Sequence, residues 1–180
     1  DIDEEKPALY VAVENQDIEI IKLLLNNSNV DPNIKYKQKR NFSKIELSSL
    51  FRAEKIENNE IIKLLLSNPR IDVNTTFLDE EQTYVYEQPF LNEIIHYKNV
   101  EILELLFKKP NFNINAKCII DYKYQSIKSE FTALYEAILN DDIKFVKLLL
   151  DNPQIDVNAI CHNDDNDDLT VLHLAVEKEK

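Results

Sequence analysis

Cys118 and Cys161, with His162 beside the second, are the residue types that hold zinc. A closed zinc site needs four converging ligands, and the chain offers no such set. The run Asn163-Asp164-Asp165-Asn166-Asp167-Asp168 carries the oxygen donors of a calcium loop. It lacks the Gly at position six and the Glu at position twelve of an EF-hand, so it reads as a solvated acidic tip, with weak calcium binding the alternative. Lys35-Tyr36-Lys37-Gln38-Lys39-Arg40-Asn41 is a basic island in a chain of net charge −12. It suits an acidic peptide or a localisation signal, or else is a solvated loop. Tyr84 and Tyr86, and Tyr122 and Tyr124, are spaced by two, which puts each pair of rings on one side of a strand. Such rings contact partners well, because tyrosine buries a large area with few rotors; they also pack on their own hairpins. No serine or cysteine nucleophile stands near a base, and His96, His162 and His173 fall in three unrelated contexts. The expectation is a protein that is not an enzyme, with no catalytic residue, no cofactor and no metal.

Composition narrows the classes further. There is no glycine in 180 residues, so neither common phosphate-binding loop can form. The acidic balance, 33 Asp and Glu against 21 Lys and Arg, opposes nucleic-acid binding and favours basic partners. Two cysteines are no disulfide framework and point to an intracellular, cytoplasmic setting. No apolar run is long enough to span a membrane, and residues 1–30 carry no signal-peptide pattern. The chain starts at Asp1 and contains no methionine, which reads as a fragment of a longer protein.

The elements that must position these residues recur. Ile20-Ile21-Lys22-Leu23-Leu24-Leu25 returns at Ile61, at Ile102 and, as Phe145-Val146-Lys147-Leu148-Leu149-Leu150, at Phe145, with spacings of 41, 41 and 43. A fixed period of this size marks stacked repeats. Each copy is apolar on too many sides for a surface helix and needs neighbours on both sides. Before each copy stands a short helix, opened by Pro7, Ser48, Pro89 and Thr132, with Thr170 opening a fifth. Asp17, Asn58, Asn99 and Asp142 then cap the second helices. Pro69, Pro110 and Pro153 end three of them, and Ser28 stands in that place in the first unit.

Thr170-Val171-Leu172-His173-Leu174-Ala175, the Lys-Leu-Leu-Leu helices, and the closing Asp31-Pro32-Asn33, Asp72-Val73-Asn74, Asn113-Ile114-Asn115 and Asp156-Val157-Asn158 resemble the ankyrin repeat. The resemblance covers nearly all of residues 7–178. It implies an all-α fold, a helix-turn-helix solenoid with extended β-hairpin or loop fingers. It implies one domain over 1–180, with units near 7–47, 48–88, 89–131 and 132–169 and a partial fifth at 170–180. The family's inter-helix glycine is replaced by Gln16, Glu57, Lys98 and Asp141; if these take φ > 0, each costs about 1 kcal/mol relative to glycine. The finger segments, of 14, 14, 16 and 11 residues, are longer than the family's usual. Tyr36, Phe77, Cys118 and Cys161 occupy one place in successive units and should form a ladder along the finger stems, which favours a structural over a metal role for the cysteines.

The resemblance also implies function: recognition of a protein partner by the concave face and the fingers. The variable inner positions it marks are Glu14, Asn15, Lys55, Ile56, His96, Tyr97, Leu139 and Asn140, with Lys35, Thr76, Lys117 and Ile160 at the finger bases. The residues expected to touch a partner are Lys35, Arg40, Lys55, Tyr84, Tyr86, His96, Tyr97, Lys117, Tyr122, Tyr124 and Leu139. The partner is an unidentified protein, not nucleic acid, with no membrane insertion by this segment, and a monomer is expected. The alternative is a regulatory or targeting module of a larger enzyme or membrane protein.

Overall fold

The computed structural model describes residues 5–40, 42–125, 127–162 and 168–178, the side chains of Arg40 and Lys178 aside. The acidic run at 163–167 lies outside the described residues. Helices come in antiparallel pairs: α1 (Ala8–Glu14) with α2 (Ile18–Asn26), α3 (Ser49–Lys55) with α4 (Asn59–Ser67), α5 (Phe90–His96) with α6 (Val100–Phe107), and α7 (Ala133–Leu139) with α8 (Ile143–Leu150). A last helix, α9 (Val171–Lys178), follows. Asp17, Asn58, Asn99 and Asp142 each accept the N–H three residues on, satisfying a donor that has no partner within the helix. Gln16, Glu57, Lys98 and Asp141 adopt φ of 57°, 55°, 55° and 53°, so all four turns keep the left-handed geometry that glycine would supply without strain.

Stacking explains the apolar surplus of the second helices. Ile61, Ile102 and Phe145 are buried, yet their equivalent in the first pair, Ile20, is 46% exposed, with no further helix pair stacked on that side among the described residues. At the other end Leu150 is 47% exposed, whereas its counterparts Leu25 and Leu66 are buried. Each layer therefore completes its neighbour's core. Asparagines link the layers. Asn33 Nδ2 donates to the Arg70 carbonyl at 2.8 Å, and its Oδ1 accepts the Asp72 N–H at 2.8 Å. Asn74 does the same to Asn111 and Asn113, and Asn115 to Gln154 and Asp156.

The fingers overturn the all-α expectation. Helix makes up 42% and strand 22%, and the strands form one eight-stranded antiparallel sheet among the described residues. They are β1 (Tyr36–Arg40), β2 (Ser43–Leu47), β3 (Thr76–Glu80), β4 (Tyr84–Pro89), β5 (Lys117–Tyr122), β6 (Ile127–Thr132), β7 (Cys161–His162) and β8 (Asp168–Leu169), in sequence order across the sheet. The sequence predicts the hairpins but not their pairing to one another. Lys44 faces Glu80, Tyr84 faces Tyr122 and Glu130 faces His162 across the joins. The physical reason is a match of spacings. Two strands occupy about 9.6 Å in a sheet, close to the ~8–10 Å between packed helices, so long fingers on stacked helix pairs meet edge to edge.

Candidate protein-binding surface

The face of this sheet that meets the first helices follows from strand alternation. Tyr36, Phe77 and Cys118 sit on it near the helices, and Ile45, Asp79, Tyr86 and Ile120 sit further out, joined by the pairings Ile45↔Asp79, Asp79↔Tyr86 and Tyr86↔Ile120. Ring contacts seat it: Tyr10 on Tyr36 at 5.0 Å, Phe51 on Phe77 at 6.1 Å, Phe77 on Tyr86 at 6.3 Å and Phe131 on Tyr135 at 6.2 Å. Sheet and first helices thus meet along one continuous surface.

The floor of that surface is tied laterally, helix to helix. Arg52 reaches Glu14 at 3.1 Å, Lys55 reaches Glu93 at 2.8 Å, and Asn92 Nδ2 donates to Glu136 Oε2 at 2.7 Å. Burial raises the Glu136 carboxyl above its ordinary range, partly opposed by the Asn92 bond. Lys55 Nζ also lies 5.5 Å from the centre of the Phe77 ring, a cation–π contact. Further out, Asp79 Oδ1 is buried and has no hydrogen-bond partner, and burial raises its carboxyl as well, with Glu81 adding to it.

The cysteine ladder is internal. Cys118 and Cys161 are free thiols, both buried. Burial pushes the Cys118 thiol up to about 12, although the Tyr86 hydroxyl that donates to it pulls the other way. Such a thiol stays protonated at neutral pH and is not a nucleophile. His162 Nδ1 lies 2.7 Å from Asp168 Oδ1, directed across its own hairpin.

The expected contact residues fall in three groups. Lys55, His96, Tyr97 and Leu139 are exposed at the ends of first helices, with the His96 and Tyr97 rings edge to face at 5.2 Å. Lys35 and Lys117 are half-buried at the finger bases: Lys35 Nζ donates to Thr76 Oγ1 at 3.2 Å, and Lys117 pairs with Glu130 at 3.1 Å. The tyrosines divide. Tyr84 and Tyr122 face each other across the β4–β5 join and are half-buried. Tyr86 turns its hydroxyl inward to Cys118. Tyr124 lies beyond β5 in the turn and is 73% exposed. The Arg40 side chain lies outside the description. Sequence reasoning passed over Phe42, exposed at the tip of the first finger, and the inward carboxylates Asp79, Glu93 and Glu136. Phe42 was legible as a lone aromatic at a turn. The carboxylates were not, because their burial depends on the neighbouring layer.

Helix pairs joined by left-handed turns, layered side by side with hairpins carried on one edge, define a repeat solenoid. The chain belongs to the ankyrin-repeat family: a family model described as ankyrin repeats (3 copies) matches residues 50–161 and 91–180, and one described as ankyrin repeat matches residues 5–37. No curated protein matches the chain. Ankyrin repeats generally mediate protein–protein interaction and are typically scaffolds without enzymatic activity. Among the described residues, no helix is long and apolar enough to cross a membrane.

Proposed function

We propose that this single domain is a protein-recognition scaffold whose concave surface and long fingers together hold one protein partner in an intracellular setting. The observation that carries the reading is the continuous sheet. It converts separate fingers into one wall beside the first helices, and the lateral pairs Arg52–Glu14 and Lys55–Glu93 hold the floor in place before any partner arrives. A surface already ordered loses little conformational entropy on binding. Lys55, His96, Tyr97 and Leu139 supply contacts on the floor, Tyr84, Tyr86, Tyr122, Lys35 and Lys117 on the wall, and Tyr124 and Arg40 at its rim.

The test is capture from an extract of the source cell by the immobilised chain. It is repeated with Tyr84 and Tyr86 replaced by Ala, and with Lys55 and His96 replaced by Glu, each variant checked for unchanged helicity. Specific proteins held by the parent chain and lost from the variants support the reading. An identical set of captured proteins on all three, or none on the parent, sinks it.

A further inference from the structure

One buried side chain breaks the pattern of the first helices. Counted one period at a time, Glu54 takes the place that Val13, Ile95 and Ile138 fill in the other pairs. Val13 and Ile95 are buried there, and Glu54 is only 2% exposed. Among the described residues, neither Glu54 nor the nearby Glu57 has an ion-pair partner. Asn99 Nδ2 lies 3.4 Å from both Glu54 oxygens, and donates more closely to Asn59 Oδ1 at 2.8 Å. A carboxylate accepts about four hydrogen bonds, so most of the capacity of Glu54 is unused. Burying a carboxylate with no cation beside it is costly.

Glu54 opens on a cleft of about 470 Å³ beside the inter-helix turns of the second and third layers. The other walls are Glu57, Asn59, Tyr97, Lys98 and Asn99. Both layers are interior to the stack, with a helix pair on either side of each. Lys98 does not neutralise the cleft, because its Nζ pairs with Asp142 at 3.0 Å in the next layer. Asn99 is fixed in place, its Oδ1 accepting the Ile102 N–H at 3.3 Å. Tyr97 is 41% exposed, and its equivalents in the other pairs are Asn15, Ile56 and Asn140. The buried acid and the open ring are thus each particular to one layer, and the stacking brings them to one cleft.

We propose that this cleft takes an arginine side chain of a partner protein, with the guanidinium on Glu54 and its flat face against Tyr97. The guanidinium is a planar fork of donors that meets both oxygens of a carboxylate at once. It keeps its charge on burial and stacks on aromatic rings, whereas a lysine ammonium is a point charge without a face. Its arrival favours the ionised carboxylate, relieving the burial that holds the Glu54 carboxyl above its ordinary range against the Asn99 bond, with Glu93 and Glu57 adding to the rise. A metal ion is the poorer occupant, since among the described residues no three His, Cys, Asp or Glu side chains are grouped to hold one. The net charge of −12 draws basic partners towards the chain. The inference rests on the scaffold reading and names the chemistry that one part of its floor, at Tyr97, would recognise.

The probe is N-acetyl-arginine methylamide, titrated into the whole ¹⁵N-labelled chain and followed by amide chemical shifts. Saturable shifts are expected at the Asn59 and Asn99 side-chain amides and at the Tyr97 backbone. The citrulline analogue, in which a neutral urea replaces the guanidinium, should give none, and the lysine analogue should bind more weakly. Glu54→Gln keeps the size of the side chain and should weaken binding roughly tenfold or more, as expected for a lost charge-assisted pair. Tyr97→Ala should weaken it several-fold, by roughly the worth of a cation–π contact. Glu60→Gln, an exposed carboxylate outside the cleft, should change nothing. Proteins captured from cell extract should be released by the arginine compound and not by the citrulline one. Equal shifts from both compounds, binding unaffected by Glu54→Gln, or no saturable shift in a chain of native circular dichroism would overturn the proposal, as would captured proteins that arginine does not release. If the arginine compound fails while capture still depends on Lys55 and His96, the arginine cleft falls and the scaffold reading stands.

Discussion

Asn74 closes on the backbone of Asn113: its Oδ1 accepts the Asn113 N–H at 2.8 Å, while its Nδ2 donates to the Asn111 carbonyl at 2.7 Å. One side chain thus satisfies a donor and an acceptor of the next layer. Asn74→Ala leaves both to solvent or unpaired and should cost about 1–3 kcal/mol. A thermal melt of the variant checks this; an unchanged midpoint would show that water replaces both bonds at no loss.

Leu65 is completely buried between layers. Leu65→Asp places an unpaired carboxylate there, at a cost of several kcal/mol. Because each layer completes its neighbour, the loss should spread beyond α4 and abolish the cooperative melt. Retention of a parental melt would mean that the second helices are not the core of the stack.

Glu57 holds φ of 55° on an exposed turn. Glu57→Gly removes about 1 kcal/mol of left-handed strain, which for a chain of this size raises the melting midpoint by roughly 2–4 °C. Gln16→Gly should behave alike. A lower midpoint for both would show that the loss of unfolded-state order outweighs the relief of strain.

Glu54 is 2% exposed, and burial raises its carboxyl above the ordinary range, with an Asn99 hydrogen bond opposing. The folded chain therefore holds this proton more tightly than the unfolded one. The penalty is absent below the unfolded carboxyl range and grows as pH rises through the raised folded value. Glu54→Gln should stabilise the protein at neutral pH, and the gain should fade as the pH falls below about 4. Denaturant midpoints of parent and variant at several pH values decide it; a pH-independent difference would assign the effect to packing.

What could be read beforehand divides by range of interaction. The helix pairs were legible because their caps, Asp17 to Ile20 and its three successors, are contacts over three residues. The left-handed turns were legible as an open question, settled by position 57 and its equivalents. The joined sheet was not, because Lys44 meets Glu80 only after two helices have intervened and stacked. Tyr86 shows the same limit. Its two-residue spacing from Tyr84 gave the correct face, but that the face turns towards Cys118 depends on how the next finger docks.

Strand pairing between fingers also constrains how such a chain can grow. The third finger, with β5 and β6 at six residues each, holds two more residues than the second, and this is the place where the period lengthens from 41 to 43. A single added residue within a strand would have rotated everything beyond it onto the opposite face and broken alignment with the fingers on both sides. Here the two added residues fall one on each strand, giving six pairs against five, so every pair nearer the helices keeps its face.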